Sequence, residues 1–116
     1  MKGDKLGEFE EFTLLAICAI DAGARAGGGE AAYGVPVQQF VERTTKRRVA
    51  MGAVYAALTR LEEKGFVRSA LGEAQQMRGG KRRRIYTVTM QGHKAVKELR
   101  ETRERIWKAI EAEGRV

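Results

Sequence analysis

Residues 51–89 constrain this chain more than any other stretch. Met51, Val54, Leu58 and Leu61 fall at steps of three, four and three, the period of a helix with one buried stripe. The run closes in Leu61-Glu62-Glu63-Lys64-Gly65-Phe66-Val67, where Gly65 suits the left-handed residue that ends a helix and Phe66 can pack back on it. Two antiparallel strands are expected next, over residues 66–73 and 82–89, joined by a tip at 75–81 that contains Gly79-Gly80. Alternation puts Phe66, Arg68 and Ala70 on one face of the first strand, with Val67, Ser69 and Leu71 on the other. On the second strand it sets Arg82, Arg84 and Tyr86 opposite Arg83 and Ile85. Five of the seven residues from 78 to 84 are basic: Arg78, Lys81, Arg82, Arg83 and Arg84. A slim helix beside a charged ribbon suits the surface of a DNA duplex better than a catalytic pocket.

The charge distribution agrees. The net charge is +7 over 116 residues, yet residues 43–84 alone hold 12 basic and 3 acidic side chains. Residues 1–42 hold 3 basic against 7 acidic, and residues 85–116 hold 7 against 5. A basic middle between acidic and mixed ends points to one polyanion-facing surface rather than a uniformly basic shell.

A first helix is expected over residues 8–21. Phe9, Phe12, Leu15 or Ala16, and Ala19 or Ile20 recur at helical spacing, Glu8, Glu10 and Glu11 crowd the positive first turn, and Gly23 supplies the stop. Leu14, Ile17 and Cys18 widen its apolar face, as suits a helix covered by a second element or subunit. Residues 22–32, with four glycines and five alanines, read as a loop. A second helix is expected from Tyr33-Gly34 to about Thr44, with Pro36 in its first turn and Val37, Phe40 and Val41 inward. Lys46, Arg47 and Arg48 then form a cationic turn before the third helix, whose Tyr55, Thr59 and Arg60 face away from its apolar stripe. Thr89 can cap a last helix running from about residue 90 to 113, roughly 35 Å long. Val96, Leu99, Ile106, Trp107 and Ile110 make its apolar stripe, interrupted by Arg103, and five i,i+4 ion pairs are available on its other faces. A stripe this long on so small a domain finds its cover on another copy. Phe12 of the first helix, with Val96, Leu99, Ile106, Trp107 and Ile110, is therefore the expected homodimer contact.

Other classes find little support. The triplet Gly27-Gly28-Gly29 lacks the following lysine and hydroxyl residue of a phosphate-binding loop and no apolar strand precedes it. Cys18 is the sole cysteine and reads as a buried small hydrophobe; His93 is the sole histidine and reads as an exposed helix residue. No zinc spacing, serine elbow or paired metal carboxylate appears, so neither enzyme chemistry nor a metal or cofactor is expected. No apolar stretch reaches the ~20 residues of a membrane span. Residues 1–6 lack the character of a signal peptide, so a reducing, cytoplasmic location is expected.

The expected architecture is mainly α with a small β-hairpin: a winged helix-turn-helix over residues 1–89, followed by a C-terminal dimerisation helix over residues 90–116. Tyr33-Gly34, then Tyr55 with Leu58-Thr59-Arg60-Leu61-Glu62-Glu63-Lys64-Gly65-Phe66-Val67, then Lys81-Arg82-Arg83-Arg84-Ile85-Tyr86-Thr87-Val88-Thr89-Met90-Gln91-Gly92 resemble the PadR family of bacterial transcriptional regulators. The resemblance covers about residues 5–100. It implies a dimeric repressor on pseudopalindromic double-stranded DNA, with Tyr55 and Arg60 contacting DNA from or beside the recognition helix and Lys81, Arg82, Arg83 and Arg84 from the wing. It also implies the short form of the family, with a single last helix, and a bacterial cytoplasm as its setting, on the nucleoid when bound to DNA.

Some short relatives bind flat aromatic compounds between subunits against a tryptophan of that helix. Trp107 offers either dimer packing or part of such a site for a small planar aromatic effector. It falls about one turn later than the family position, which Arg103 occupies. Ala50 stands where relatives carry a small polar cap, and residues 22–32 make a longer loop than usual. The alternative from a different class is a dimeric interaction module whose basic wing docks an acidic protein or RNA.

Overall fold

Among the described residues, apolar periodicity resolves into four helices and one hairpin, in the order α1 (Glu8–Arg25), α2 (Gly34–Thr45), α3 (Met51–Glu63), β1 (Val67–Ala74), β2 (Arg82–Val88) and α4 (Met90–Ala112). The computed structural model describes residues 5–74 and 82–114, apart from the side chains of residues 73 and 74. The three first helices pack around Leu14 and Ile17 of α1, Val37 and Val41 of α2, and Val54, Leu58 and Leu61 of α3, all essentially inaccessible. Phe66, Val67, Tyr86 and Val88 close this core from the hairpin side. Each such apolar side chain contributes roughly 1.5–3 kcal/mol on burial. Among the described residues, no helix is long and apolar enough to cross a membrane.

The expected stop of α1 at Gly23 is not used. The helix continues to Arg25, its last turn held by the Arg25–Asp21 ion pair at 3.2 Å. Alanines on either side favour helix, and one glycine costs only about 1 kcal/mol against alanine. The loop is correspondingly shorter than the expected residues 22–32. Its end docks on the hairpin, where the Tyr86 N–H donates to the Ala32 carbonyl at 2.8 Å.

Gly65, at φ +83°, ends α3 as its position predicts. The Phe66 and Gly65 N–H groups donate to the Leu61 and Glu62 carbonyls at 2.9 and 3.0 Å, satisfying groups the helix end leaves open. In the hairpin, Val67 pairs with Val88, Ser69 with Tyr86 and Leu71 with Arg84, so these six residues share the face turned to the core and α3. A register irregularity follows between Leu71 and Ala74.

Thr89 joins three elements. Its hydroxyl donates to the Gly65 carbonyl at 2.7 Å and accepts from the Gly92 N–H at 3.0 Å, capping α4. Its own N–H donates to the Phe66 carbonyl at 3.1 Å. Gly92 is buried so tightly that a Cβ there would collide with the Phe66 carbonyl oxygen and approach Val88 Cγ1 to 2.7 Å. The glycine closing α3 and the threonine-x-x-glycine opening α4 are thus two sides of one joint.

Beyond that joint α4 touches the domain sparingly. Arg103, expected as an interruption of the apolar stripe, instead reaches Glu11 of α1 at 2.9 Å, where the carboxylate is buried. The other first-turn carboxylates of α1 are engaged too: Glu10 with Lys64 at 2.6 Å, and Glu8 with Arg47 at 3.4 Å. Of the five i,i+4 pairs expected along α4, only Arg100–Glu104 forms, at 3.5 Å. Exposed pairs of that kind gain little.

Among the described residues, two groups titrate away from their ordinary values. Burial, reinforced by Asp21, pushes the Cys18 thiol up, which keeps it protonated and unreactive at neutral pH. Burial, then the Glu62 carboxylate, pushes the Tyr86 hydroxyl above its usual 10.0, partly offset by Arg84. A pKa raised on folding means stability that is complete below the unfolded value and declines as pH climbs through the folded one. Relative to Tyr86→Phe, the denaturant midpoint of the unaltered protein is therefore expected to hold steady below pH 10 and to fall above it. A midpoint that rises relative to the variant with alkalinity would contradict this.

Candidate nucleic-acid interface

The side of α3 turned from the core is built of small and polar residues. Gly52, Tyr55, Thr59 and Arg60 are exposed on it, while Val54, Ala57, Leu58 and Leu61 are buried. Nothing lies within 4 Å of where a Gly52 Cβ would stand, so the helix backbone is open to close approach there. Tyr55 is half exposed, and its hydroxyl reaches over the first turn of α2. A Cβ on Gly34 would sit 2.8 Å from that oxygen and 3.0 Å from Met51 Cε. Gly34 and Tyr55, far apart in the chain, therefore form one contact that sets how closely α2 and α3 approach.

The turn between those helices is clamped by α2. Gln38 Nε2 donates to the Val49 carbonyl and the Val49 N–H donates to Glu42 Oε2, both at 2.8 Å. Lys46 takes a left-handed conformation at φ 59° as α2 ends. Lys46, Arg47 and Arg48 are consequently presented, exposed, on a fixed turn. Arg47 lies over the Phe12 ring at 5.4 Å and pairs with Glu8. Ala50 provides no side-chain cap for α3, so the positive helix end lies beside this cationic turn.

The described wing arginines are each tethered but exposed. Arg82 Nε donates to the Gly72 carbonyl at 2.7 Å, and Arg83 lies over the Tyr33 ring at 4.2 Å. Arg84 Nη1 donates to Ser69 Oγ at 3.0 Å, and that hydroxyl donates to Glu62 Oε2 at 2.8 Å. One bond occupies a fraction of the five N–H groups of a guanidinium, which leaves the rest available to phosphate. The expected contacts Arg78 and Lys81 lie outside the described residues. The structure thus ties the root of the wing to the last turn of α3 through Glu62 and sets the cationic turn at the start of the same helix, with Tyr55, Thr59 and Arg60 exposed along it. Sequence reasoning passed over Ser69 and Glu62, whose only signal was Ser69 and Arg84 sharing a strand face, and over Arg68, exposed on the outer face of β1.

The proposed dimer residues divide. Val96, Leu99 and Trp107 line a groove with Leu15 and Glu11, and Ile106 lines a second groove with Leu6. Ile106 and Trp107, neighbours in the chain, are 55% and 54% exposed. Ile110 is partly covered. Phe12 does not join them: it packs with Phe9, Val41 and Arg47 at the cationic turn. From α1 it is Glu11 and Leu15 that border α4, because Phe12 points about 100° further around the helix than Glu11.

Three helices followed by a charged hairpin, with the third helix exposed beside it, define a winged helix-turn-helix. Residues 28–98 match the profile of the transcriptional regulator PadR-like family, and the chain belongs to that family. It is accordingly a transcriptional regulator with a DNA-binding fold, not an enzyme. Among solved structures, TA0346 from Thermoplasma acidophilum is similar with a TM-score of 0.67 at 20% identity, covering 90% of each chain. A PadR family transcription regulator from Clostridium difficile gives 0.62 at 18% identity, covering 91% of this chain and 97% of its own. A PadR-like transcription factor from Bacteroides fragilis gives 0.65 at 21%, covering 89% and 86%. These likenesses speak for the fold. Among functionally curated proteins none matches the chain significantly.

Proposed function

We propose that this chain is a homodimeric repressor that reads a pseudopalindromic promoter site by placing one α3 in each of two successive major grooves. The observation that carries the reading is the small, open face of α3, flanked at its start by Lys46, Arg47 and Arg48 and at its end by the wing arginines. A helix fits the major groove, where every base pair presents a distinct pattern of donors, acceptors and methyls. In this reading Thr59, Arg60 and Tyr55 read bases or orient the helix, and the cations of turn and wing hold phosphates. In this reading residues 1–89 bind DNA and α4 pairs the subunits through Val96, Leu99, Ile106, Trp107 and Ile110. Two-fold particles bind half-sites about one helical turn apart.

The test is selection of duplexes from a randomised library, followed by affinity measurements against random duplex at several salt concentrations. Discrimination of about 10³ or more is expected, with an affinity that falls steeply as salt rises. Equal binding to all duplexes, or a preference for an acidic protein or RNA, would overturn the reading.

The exposure of Ile106 and Trp107 favours the dimer. Trp107→Ala is expected to weaken self-association about 100-fold, as loss of a central aromatic anchor does, while the domain remains folded. Sedimentation across a dilution series checks it; an unaltered monomer–dimer equilibrium would remove α4 from the interface. The groove bordered by Trp107, Leu15, Val96 and Leu99 is also where a small planar aromatic effector would sit to release DNA.

A further inference from the structure

We infer that Ser69 is a positioning residue for DNA recognition: its hydroxyl locks the wing to the last turn of α3 and so sets the distance between groove and wing contacts. The inference rests on the DNA-binding reading above. Arg84 Nη1 donates to Ser69 Oγ at 3.0 Å, and the Ser69 hydroxyl donates onward to Glu62 Oε2 at 2.8 Å. A hydroxyl has one proton and two lone pairs, so accepting from a cation while donating to an anion uses it in its most favourable sense. The relay is directional: a guanidinium on β2, a hydroxyl on β1 and a carboxylate on α3 are aligned across three elements. A two-stranded ribbon has little rigidity of its own. Backbone pairing ties β1 to β2 and Val67 and Val88 anchor the base, but at this height Glu62 is the tie from hairpin to α3.

Chemistry also explains why a serine stands there rather than a direct ion pair. Ser69 lies on the inner face opposite Tyr86, where a short side chain lets Arg84 lean toward α3 instead of outward. Without the hydroxyl, Arg84 loses its acceptor and Glu62 is left as an uncompensated carboxylate on the surface offered to phosphates. The wing would still carry its charge, but at no fixed angle. Specific binding, which needs groove and wing contacts together, suffers; general attraction to DNA does not.

The experiment compares the unaltered protein with Ser69→Ala and Ser69→Thr on duplexes selected by the unaltered protein and on random duplex, at several salt concentrations, with thermal midpoints for each. Ser69→Ala is expected to lose about tenfold in affinity for the selected duplex, the cost of fixing on binding a wing that the free protein no longer holds in place. Its affinity for random duplex, its salt slope and its midpoint should stay close to those of the parent. Ser69→Thr, which keeps the hydroxyl, should bind as the parent does. A serine-to-alanine variant with undiminished specific affinity, or one losing specific and random binding equally, would overturn the inference alone. Failure of Ser69→Thr to retain specific binding would do the same. An unaltered protein that cannot discriminate between duplexes would overturn the DNA-binding reading itself, and this inference with it.

Discussion

Gly92→Ala is expected to lower the thermal midpoint by about 10–20 °C, the effect of roughly 2–3 kcal/mol of forced overpacking on a domain of this size. The added methyl would occupy space held by the Phe66 carbonyl oxygen and Val88 Cγ1. Neither neighbour can yield cheaply. Phe66 accepts a hydrogen bond from Thr89 as well as lying in the core, and Val88 anchors the base of the hairpin. Relief would require α4 to lift from the joint, breaking the cap between Thr89 and the Gly92 N–H. Gly23→Ala is the matching control. Gly23 lies within α1 with nothing inside 4 Å of its would-be Cβ, so alanine is expected to stabilise by about 0.5–1 kcal/mol. Equal midpoints for the two variants would show that the crowding at Gly92 is not what the structure describes.

Gly52→Glu is expected to abolish DNA binding, by roughly 100-fold or more, with the fold intact. The position is open to solvent in the first turn of α3, so the longer side chain meets no protein atom near its Cβ. A carboxylate near a helix N-terminus is favourable for the helix itself. Opposite DNA, it brings bulk and like charge to the surface that must approach the duplex, where misplaced charge costs several kcal/mol. Stability and binding should therefore move in opposite directions. Retained affinity would mean that α3 does not face the nucleic acid.

How much of this was legible in the chain depends on the range of the interactions. Element order, the closing role of Gly65, the cap at Thr89 and the inner face of the hairpin all follow from local spacing and chemistry. Contacts between distant residues do not. Arg103 breaks a stripe when α4 is considered alone, and only the packed α1 shows that Glu11 awaits it. Phe12 belongs by periodicity to a broad apolar face, but which part of that face meets α4 depends on how α1 is rotated in the core. Gly23 looked like a stop because a glycine in isolation weakens a helix; its alanine neighbours and the Asp21–Arg25 pair outweigh that preference. On the interface, cations announced themselves by number, whereas the uncharged Ser69 carried no such signal.

The way α4 is held has a mechanical consequence. It is fastened at its root by Thr89 and Gly92, packs on the core through Ala95 and Val96, and is tied again, about 21 Å along, by the ion pair between Arg103 and Glu11. The remainder is a lever arm. A swing of five degrees about the root would carry the far tip, about 35 Å away, through roughly 3 Å. That is close to the step of about 3.4 Å between neighbouring bases. In the dimer proposed above, loosening that charged clasp would allow the two reading heads to shift by about one rung of the duplex.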